Sequence, residues 1–381
     1  MITLTKLWCN QPGSMDQLRY SHTAHQRPVV VWSTTKQCNL HCMHCYSKSE
    51  NKTYQNELTN AEAKRFISDL AEFKVPVLLF SGGEPMMRSD LFELAQLAAD
   101  SGIHLVMSTN GTLINKEAAK KIKQVGFDYV GVSLDGVRET NNRFRGASDA
   151  FEKAVEGIRN CMDAGIKTGL RLTVTKYNLA DVPAIFDFIE KEKIPRACFY
   201  HLAYVGRGTS IAKDDLTHEQ TRQFMDMLLA KAEEFQKKGL GTEILTVDNH
   251  ADAAYIYLKI KEKDPQRAEQ VMQLLKLNGG NSSGRGIACV DFNGHVHPDQ
   301  FWQHYSLGNI RERKFSEIWT DQTEPLLKQL HNRKDFLTGK CSKCRFLNIC
   351  NGNLRVRAEA VYGDIWAPDP ACYLTEKEIQ A

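Results

Sequence analysis

Cys38, Cys42 and Cys45 stand in a C-x3-C-x2-C spacing within the stretch Cys38-Asn39-Leu40-His41-Cys42-Met43-His44-Cys45-Tyr46. Three thiolates this close together can hold three irons of a cubic [4Fe–4S] cluster, because soft sulfur ligands suit iron–sulfur centres. A cubane's fourth iron is then open to a chelating ligand. The competing chemistry is a structural zinc site, which wants four tetrahedral ligands, with His41 or His44 as the fourth. A second run, Cys341-x2-Cys344-x5-Cys350, is followed by Cys372 near the end of the chain. With 11 cysteines in 381 residues, clustered thiols in a reducing cytosol point to metal or catalysis rather than disulfides. Cys161 and Cys198 sit singly in apolar, periodic segments and read as buried fillers. Cys9 stands alone, with no spacing that gives it a role.

The elements that must position the triplet come from periodicity. Hydrophobic content of 42% and charged content of 25% are those of a soluble globular protein, long enough to bury a large core. A net charge of +3 is too small to argue for nucleic acid. The opening MITLTKLWCNQPG lacks the apolar run of a signal peptide, and no segment is long and apolar enough to span a membrane. The expectation is a cytoplasmic protein with neither nucleic acid nor membrane as partner.

From 28 to about 205, short apolar runs alternate with helical patterns, the mark of βα units and a parallel sheet. The strand candidates are Val29–Trp32, Val77–Phe80, His104–Ser108, Tyr129–Ser133, Thr168–Val174 and Ala197–His201. Amphipathic segments lie between them: Asn60–Phe73, Asp90–Ala99, Asn115–Gln124, Ala150–Ala164 and Leu179–Lys191. Thr59 three residues before Glu62 predicts a capping box. Six such units predict an α/β fold, a partial (β/α)6 barrel, with chemistry at the C-terminal ends of the strands. The distinctive motifs fall there: Ser81-Gly82-Gly83-Glu84-Pro85, Ser108-Thr109-Asn110-Gly111, Ser133-Leu134-Asp135-Gly136 followed by Arg145-Gly146, and Arg171-Leu172-Thr173-Val174.

Around this core the chain divides into a polar N-terminal arm over 1–27 and a helical bridge over 206–286, with a cysteine-bearing segment over 287–381. The arm reads either as solvated or as a cover over a substrate cavity. The bridge predicts two long helices, Thr217–Lys238 and Tyr255–Leu277. The loop 278–286 is rich in glycine and small polar residues but lacks the Lys-Ser/Thr ending of a phosphate loop. It reads as a linker or a substrate-contacting loop. Cys289–Asp299 predicts a hairpin with Asn293-Gly294 at its turn, and Phe315–Trp319 a short helix.

The triplet, with GGEP after the second strand, resembles the signature of the radical S-adenosylmethionine (SAM) superfamily. That resemblance implies a cluster on Cys38, Cys42 and Cys45 whose open iron binds SAM. One electron from it would cleave SAM to methionine and a 5′-deoxyadenosyl radical. It further implies SAM contacts from Tyr46, from Gly82, Gly83, Glu84 and Pro85, and from Ser108, Asn110 and Ser133. Arg145 would pair with the SAM carboxylate, a task that suits a planar guanidinium. The usual His-Asp pair before it is Asn141-Asn142 here, which leaves Arg143 as an alternative. Leu172 or Thr173 would lie near the adenosyl group.

The pattern from Gly294 through Pro298-Asp299, Leu307-Gly308-Asn309-Ile310 and the late cysteines resembles the SPASM extension of these enzymes. It implies one auxiliary [4Fe–4S] cluster on Cys341, Cys344, Cys350 and Cys372, with zinc as the competing occupant. Leu354 stands where another cysteine is often found, and Cys289 is left as a remnant or an alternative ligand.

The opening segment, the CNL.C.HCYS block and the tail from Cys341 to Leu374 are similar to a narrow group of radical SAM/SPASM enzymes that modify tetrapyrroles. The group includes the didecarboxysirohaem deacetylase and the related enzyme of haem d1 synthesis. The resemblance implies removal of two acetate side chains from didecarboxysirohaem to give Fe-coproporphyrin III, with ferredoxin or flavodoxin as electron donor. The alternatives are action on propionate side chains in haem d1 synthesis, or peptide maturation by a SPASM enzyme. A flat, polyanionic, iron-bearing substrate needs arginines and a histidine. The candidates are Arg19, Arg27, Arg207, Arg285, Arg355 and Arg357, with His22, His25, His201, His295 and His297.

Overall fold

The structure is a computed structural model that describes residues 1–13, 16–21 and 27–380. The strands among them are β1 (Ile2–Thr3), β2 (Val29–Ser33), β3 (Val77–Ser81), β4 (His104–Thr109), β5 (Tyr129–Ser133), β6 (Thr168–Val174), β7 (Arg196–His201), β8 (Glu243–Val247), β9 (Ile287–Val290), β10 (His295–His297) and β11 (Gly308–Asn309). The six strands expected between 28 and 205 are β2 to β7, and the helices expected between them form. The sheet is unclosed, as a partial (β/α)6 barrel requires. By contacts the chain forms two compact units. The first is Met1–Ala24, Leu172–Ser282 and Asn332–Ala381; the second is His25–Arg171 and Ser283–His331.

In the second unit β2 to β6 pair in parallel, each with the next in sequence. Their apolar runs are those of strands covered on both faces. The registers set Trp32, Phe80, Met107 and Val130 side by side, and Trp32 meets Phe66 of the helix Asn60–Glu72 with ring centroids 5.7 Å apart. That row faces the helices. The positions one residue on, Ser33, Ser81, Ser108 and Gly131, therefore point to the other face. The helix Asn60–Glu72 starts with the expected box: Thr59 accepts from the Glu62 N–H, and Glu62 accepts from the Thr59 N–H at 2.8 Å. The predicted hairpin is β9–β10, with Gly294 at φ +89° in the turn. The sequence did not show that β9 lies parallel to β2, with Cys289 opposite Val31.

In the first unit β8 lies parallel to β7, and β1 pairs antiparallel with β8. The chain's opening is not solvated: Ile2, Leu4 and Leu7 are at most 1% exposed. The helix expected over Tyr255–Leu277 is two helices, Ala251–Lys263 and Pro265–Asn278. Pro265 has no N–H to give and disfavours a helical residue before it. Asp264 turns the chain there, and its side chain accepts from the Arg267 N–H to cap the second helix. Among the described residues, no helix is long and apolar enough to cross a membrane.

Candidate active site

The triplet follows β2 and docks on the end of a neighbouring helix. The helix Glu139–Arg145 ends with carbonyls that have no partner inside the helix. His41 N–H donates to the Arg145 carbonyl at 3.1 Å, and Met43 N–H to the Phe144 carbonyl at 2.9 Å. Each thiol of the triplet has a polar group on it. Leu40 N–H donates to Cys38 Sγ at 3.5 Å, with Asn110 Nδ2 at 3.9 Å. Arg145 Nη1 donates to Cys42 Sγ at 3.5 Å, and Ser47 Oγ lies 3.4 Å from Cys45 Sγ. Burial pushes the Cys38 thiol up to about 12 and raises Cys42 as well, against the opposing pull of Arg145. Metal binding must displace those protons.

Arg145 is buried and ion-paired with the fully buried Asp135, whereas Arg143 is exposed. The two asparagines before them brace the loop. Asn141 Oδ1 accepts from Asp135 N–H at 2.8 Å, and Asn142 Oδ1 from Phe151 N–H at 2.7 Å. His41 is exposed, and the His44 ring lies 4.7 Å from the ring of Phe144.

The GGEP turn closes on the cysteine loop. Gly83 N–H donates to the Thr35 carbonyl at 2.8 Å and Glu84 N–H to the Gln37 carbonyl at 2.9 Å. A Cβ on Gly83 would sit 2.2 Å from the Gln37 carbonyl oxygen, so this glycine serves backbone-to-backbone approach. Glu84 is fully buried and accepts from Thr109 Oγ1 at 2.7 Å, Asn110 N–H at 2.7 Å and Met86 N–H at 3.1 Å. It thus ties the ends of β3 and β4 together. Asn110 in turn donates to Asn39 Oδ1 at 2.9 Å. Tyr46 OH lies 3.3 Å from Ser81 Oγ, its ring edge-on to Phe301 at 5.6 Å. Ser108 and Ser133 are half-buried at their strand ends. Leu172 and Thr173 lie on opposite faces of β6. Leu172 is fully buried, in the row of Thr168, Leu170 and Val174, while Arg171 and Thr173 alternate to the less buried face.

Burial raises the Glu84 carboxyl to about 7, against the donors that hold it. Its native affinity for a proton exceeds that of the unfolded chain. This contribution is present below the usual carboxylate range and lost as pH rises through about 7. Raising the pH from 6 to 8 should cost the protein about 1 kcal/mol through this group. Unfolding of the Glu84→Gln variant at the two pH values should show that loss removed.

Cys341, Cys344, Cys350 and Cys372 lie close enough in the first unit for their charges to interact. Burial first, and then the charges of Cys372, Cys341 and Cys344, push the Cys350 thiol up. The 278–286 loop is no slack linker at its start. Asn281 N–H donates to the Cys350 carbonyl at 3.1 Å, and a Cβ on Gly280 (φ +73°) would sit 2.4 Å from the Cys350 carbonyl carbon. Cys289, in the second unit, is fully buried with its Sγ 4.0 Å from Ser33 Oγ.

Among the described residues, no group of three His, Cys, Asp or Glu is drawn in around a single metal ion. A cubane is a far larger body than one ion, and its thiolates need not converge as a zinc ion's must. The donor set of the triplet fits such a cluster: buried Cys38 and Cys42 and half-buried Cys45, each with a polar group that can steady a thiolate.

Most of the candidate substrate residues have structural partners. Arg357 is fully buried, paired with Asp369 at 3.0 Å and donating to the Leu202 carbonyl at 2.9 Å. Arg355 donates to the carbonyls of Gly352, Ile365 and Ala367. Arg27 lies over the Phe73 ring at 4.5 Å. Gly286, next to Arg285, accepts from Val29 N–H, so both Arg27 and Arg285 sit at the N-terminal end of β2, away from the triplet. His201 is paired with Asp252 at 2.9 Å, and His297 Nδ1 bonds the Tyr305 carbonyl at 2.7 Å. His295 Nδ1 lies 3.1 Å from Ser306 Oγ. His22 and His25 lie outside the described residues. Arg207 opens the 3-10 helix Gly206–Asp214 after β7, and Arg19 is half-buried.

Comparison with known proteins agrees with this geometry. Residues 32–189 match the Radical SAM superfamily, and residues 282–345 match SPASM, an iron-sulfur cluster-binding domain. The chain is 53% identical to Fe-coproporphyrin III synthase of Methanosarcina barkeri, covering 100% of this chain and 99% of that protein. It is 43% identical to pre-heme d1 synthase of Dinoroseobacter shibae, covering 92% and 87%. In fold it is similar to native anSMEcpe with bound AdoMet, with TM-score 0.71 and 20% identity over 92% of this chain and 96% of that one. The family brings a SAM-binding [4Fe–4S] cluster, SAM and an auxiliary iron–sulfur cluster. The chain belongs to the radical SAM superfamily as an enzyme with a SPASM iron–sulfur domain, in the group that contains Fe-coproporphyrin III synthase and pre-heme d1 synthase.

Proposed function

We propose that this enzyme removes two acetate side chains from didecarboxysirohaem to give Fe-coproporphyrin III. The observation that carries the reading is the end-to-end likeness to Fe-coproporphyrin III synthase. Cys38, Cys42 and Cys45 hold the SAM-binding cluster; Cys341, Cys344, Cys350 and Cys372 hold the auxiliary one. Bound there, the first cluster and SAM supply a 5′-deoxyadenosyl radical for abstraction of a substrate hydrogen.

The chain's own residues do the placing. Glu84 holds Asn110 and the GGEP turn against the cysteine loop, so that Gly82, Gly83, Pro85, Ser108, Asn110 and Ser133 border SAM. Tyr46 braces the same wall from the far end of the triplet. Arg145 keeps one donor unspent, since its Nε is buried with no hydrogen-bond partner, and this donor is directed at the SAM carboxylate. Ferredoxin or flavodoxin delivers the electron. The setting is cytoplasmic, where the cysteines are kept out of disulfides.

The test is an anaerobic incubation with SAM, reductant and didecarboxysirohaem, the tetrapyrrole identified by mass. Loss of two acetate units is expected. Loss on one side only, or a change at propionate, would favour the chemistry of pre-heme d1 synthase. SAM cleavage with an unchanged tetrapyrrole would refute the substrate. Cys372→Ser should lower iron by about one cubane's worth and leave SAM cleavage by the first cluster standing, as iron analysis and a 5′-deoxyadenosine assay would show.

A further inference from the structure

In the first unit the four late cysteines sit on separate short segments. Cys341 lies in the helix Gly339–Ser342, Cys350 ends the helix Leu347–Cys350, and Cys372 follows an irregular stretch. Arg355, at the start of the helix Arg355–Tyr362, joins these segments. Its Nη2 donates to the Gly352 carbonyl, two residues after Cys350. Its Nη1 donates to the carbonyls of Ile365 at 3.0 Å and Ala367 at 2.6 Å. The carbonyl between those two, on Trp366, accepts from the Thr338 N–H at 3.0 Å, just before the Cys341 helix. Two residues beyond Ala367, the Asp369 carbonyl accepts from the Cys372 N–H at 3.0 Å. One side chain thus fastens the backbones that carry three of the four ligands.

Those bonds leave Nε unspent. Arg355 is 1% exposed, and its Nε is shut off from solvent with no hydrogen-bond partner. A buried donor without a partner is costly, and in a native fold it asks for an explanation. Its place is fixed by geometry. A Cβ on Gly352 (φ +75°) would sit 3.4 Å from it, so Nε lies beside the turn that leaves Cys350. The thiols show where a donor is wanted. A backbone N–H favours the thiolate at three ligands, from Asp369 at Cys341, Phe346 at Cys344 and Leu374 at Cys372. At Cys350 the favouring influence is the charge of Arg355. Four sulfurs, each with a donor or a cation beside it, suit a thiolate-held cluster.

We infer that Arg355 is a positioning residue of the auxiliary cluster, holding its ligand segments together and giving Nε–H to the sulfurs at Cys350. The inference rests on the assignment of that cluster to Cys341, Cys344, Cys350 and Cys372. Reduction adds negative charge to the cluster, and a hydrogen bond to sulfur from a cation stabilises the reduced form more than the oxidised one. Arg355 therefore favours the reduced cluster, and its work is on the potential rather than on a substrate carboxylate. Lysine could supply the charge but not the planar set of donors that reaches three carbonyls and a sulfur at once.

The test uses the full chain in the Cys42→Ala background, where the auxiliary cluster is the one expected to remain. Electron paramagnetic resonance during a reductive titration gives the ratio of reduced to oxidised cluster at a fixed potential. At the potential that half-reduces the background protein, adding Arg355→Gln should lower that ratio about tenfold. Arg355→Lys keeps the charge without the Nε donor and should fall between the two. Should Arg355→Gln fail to fold or to hold iron, the background protein itself decides. With arginine isotopically labelled at its guanidinium nitrogens, pulsed resonance of the reduced cluster should detect a coupled nitrogen. An unchanged ratio in Arg355→Gln with its iron intact sinks this inference and leaves the cluster assignment standing. So does a labelled protein with no coupled nitrogen, or an Arg355→Lys variant that matches the background, since the Nε donor is then idle. A Cys42→Ala protein that holds no iron–sulfur cluster sinks the assignment, and this inference with it.

Discussion

Replacing Cys42 by alanine abolishes 5′-deoxyadenosine formation and lowers iron by about four atoms per chain, one cubane's worth. Cys42 is the middle thiol of the triplet, and its sulfur is the one met by a guanidinium. Alanine leaves Cys38 and Cys45, two ligands where three are needed to leave a single iron open. The neighbours cannot substitute: His41 is exposed, and His44 is held against Phe144. Because Cys42 lies in a loop fastened by backbone hydrogen bonds from His41 and Met43, the loop geometry should survive the change. Folding is therefore expected to be intact, and the auxiliary iron should remain. SAM cleavage by the alanine variant would mean that the cluster is held elsewhere.

The second large effect is on stability. Asp135 is 0% exposed and ion-paired to Arg145, itself 7% exposed. Arg145→Gln leaves a buried carboxylate without its cation, which costs about 3–5 kcal/mol. It also removes the donor on Cys42 Sγ, so any cluster that forms should be harder to reduce, since hydrogen bonds to the sulfurs raise the potential. Arg145→Lys restores charge but not the fork that reaches carboxylate and sulfur together, and should recover stability only in part. The double variant Asp135→Asn/Arg145→Gln should recover most of the loss, because no uncompensated charge remains. Denaturant unfolding of wild type, Asp135→Asn, Arg145→Gln and the double variant measures this cycle. A single variant as stable as wild type would mean that the pair contributes nothing to holding the loop.

Much of this site was legible in the chain because strand and motif are adjacent in sequence. Each parallel strand of the second unit is a short apolar run, and each motif follows it within a few residues, so placement at the C-terminal ends came directly from order. Partnerships across long separations were not legible. Arg355 and Arg357 look like substrate arginines in a list, and only the fold brings Asp369 and the Leu202 carbonyl to them. Likewise only the fold shows that the missing side chain of Gly83 makes room for the Gln37 carbonyl. β8 was hidden because Glu243-Ile244-Leu245-Thr246-Val247 sits between long charged helices, and β1 because two residues carry no periodicity. The break at Pro265 was readable and was overridden by the helical pattern on both sides of it.

The central claim is that one iron of the N-terminal cluster is left for SAM. It is tested most directly by electron paramagnetic resonance of the anaerobic, dithionite-reduced protein, recorded with and without SAM. Wild type should give a [4Fe–4S] signal that shifts on addition of SAM, and this signal should be missing from the Cys42→Ala variant. A reduced spectrum in which no component responds to SAM, or a metal at the triplet that gives no signal on reduction, would contradict it.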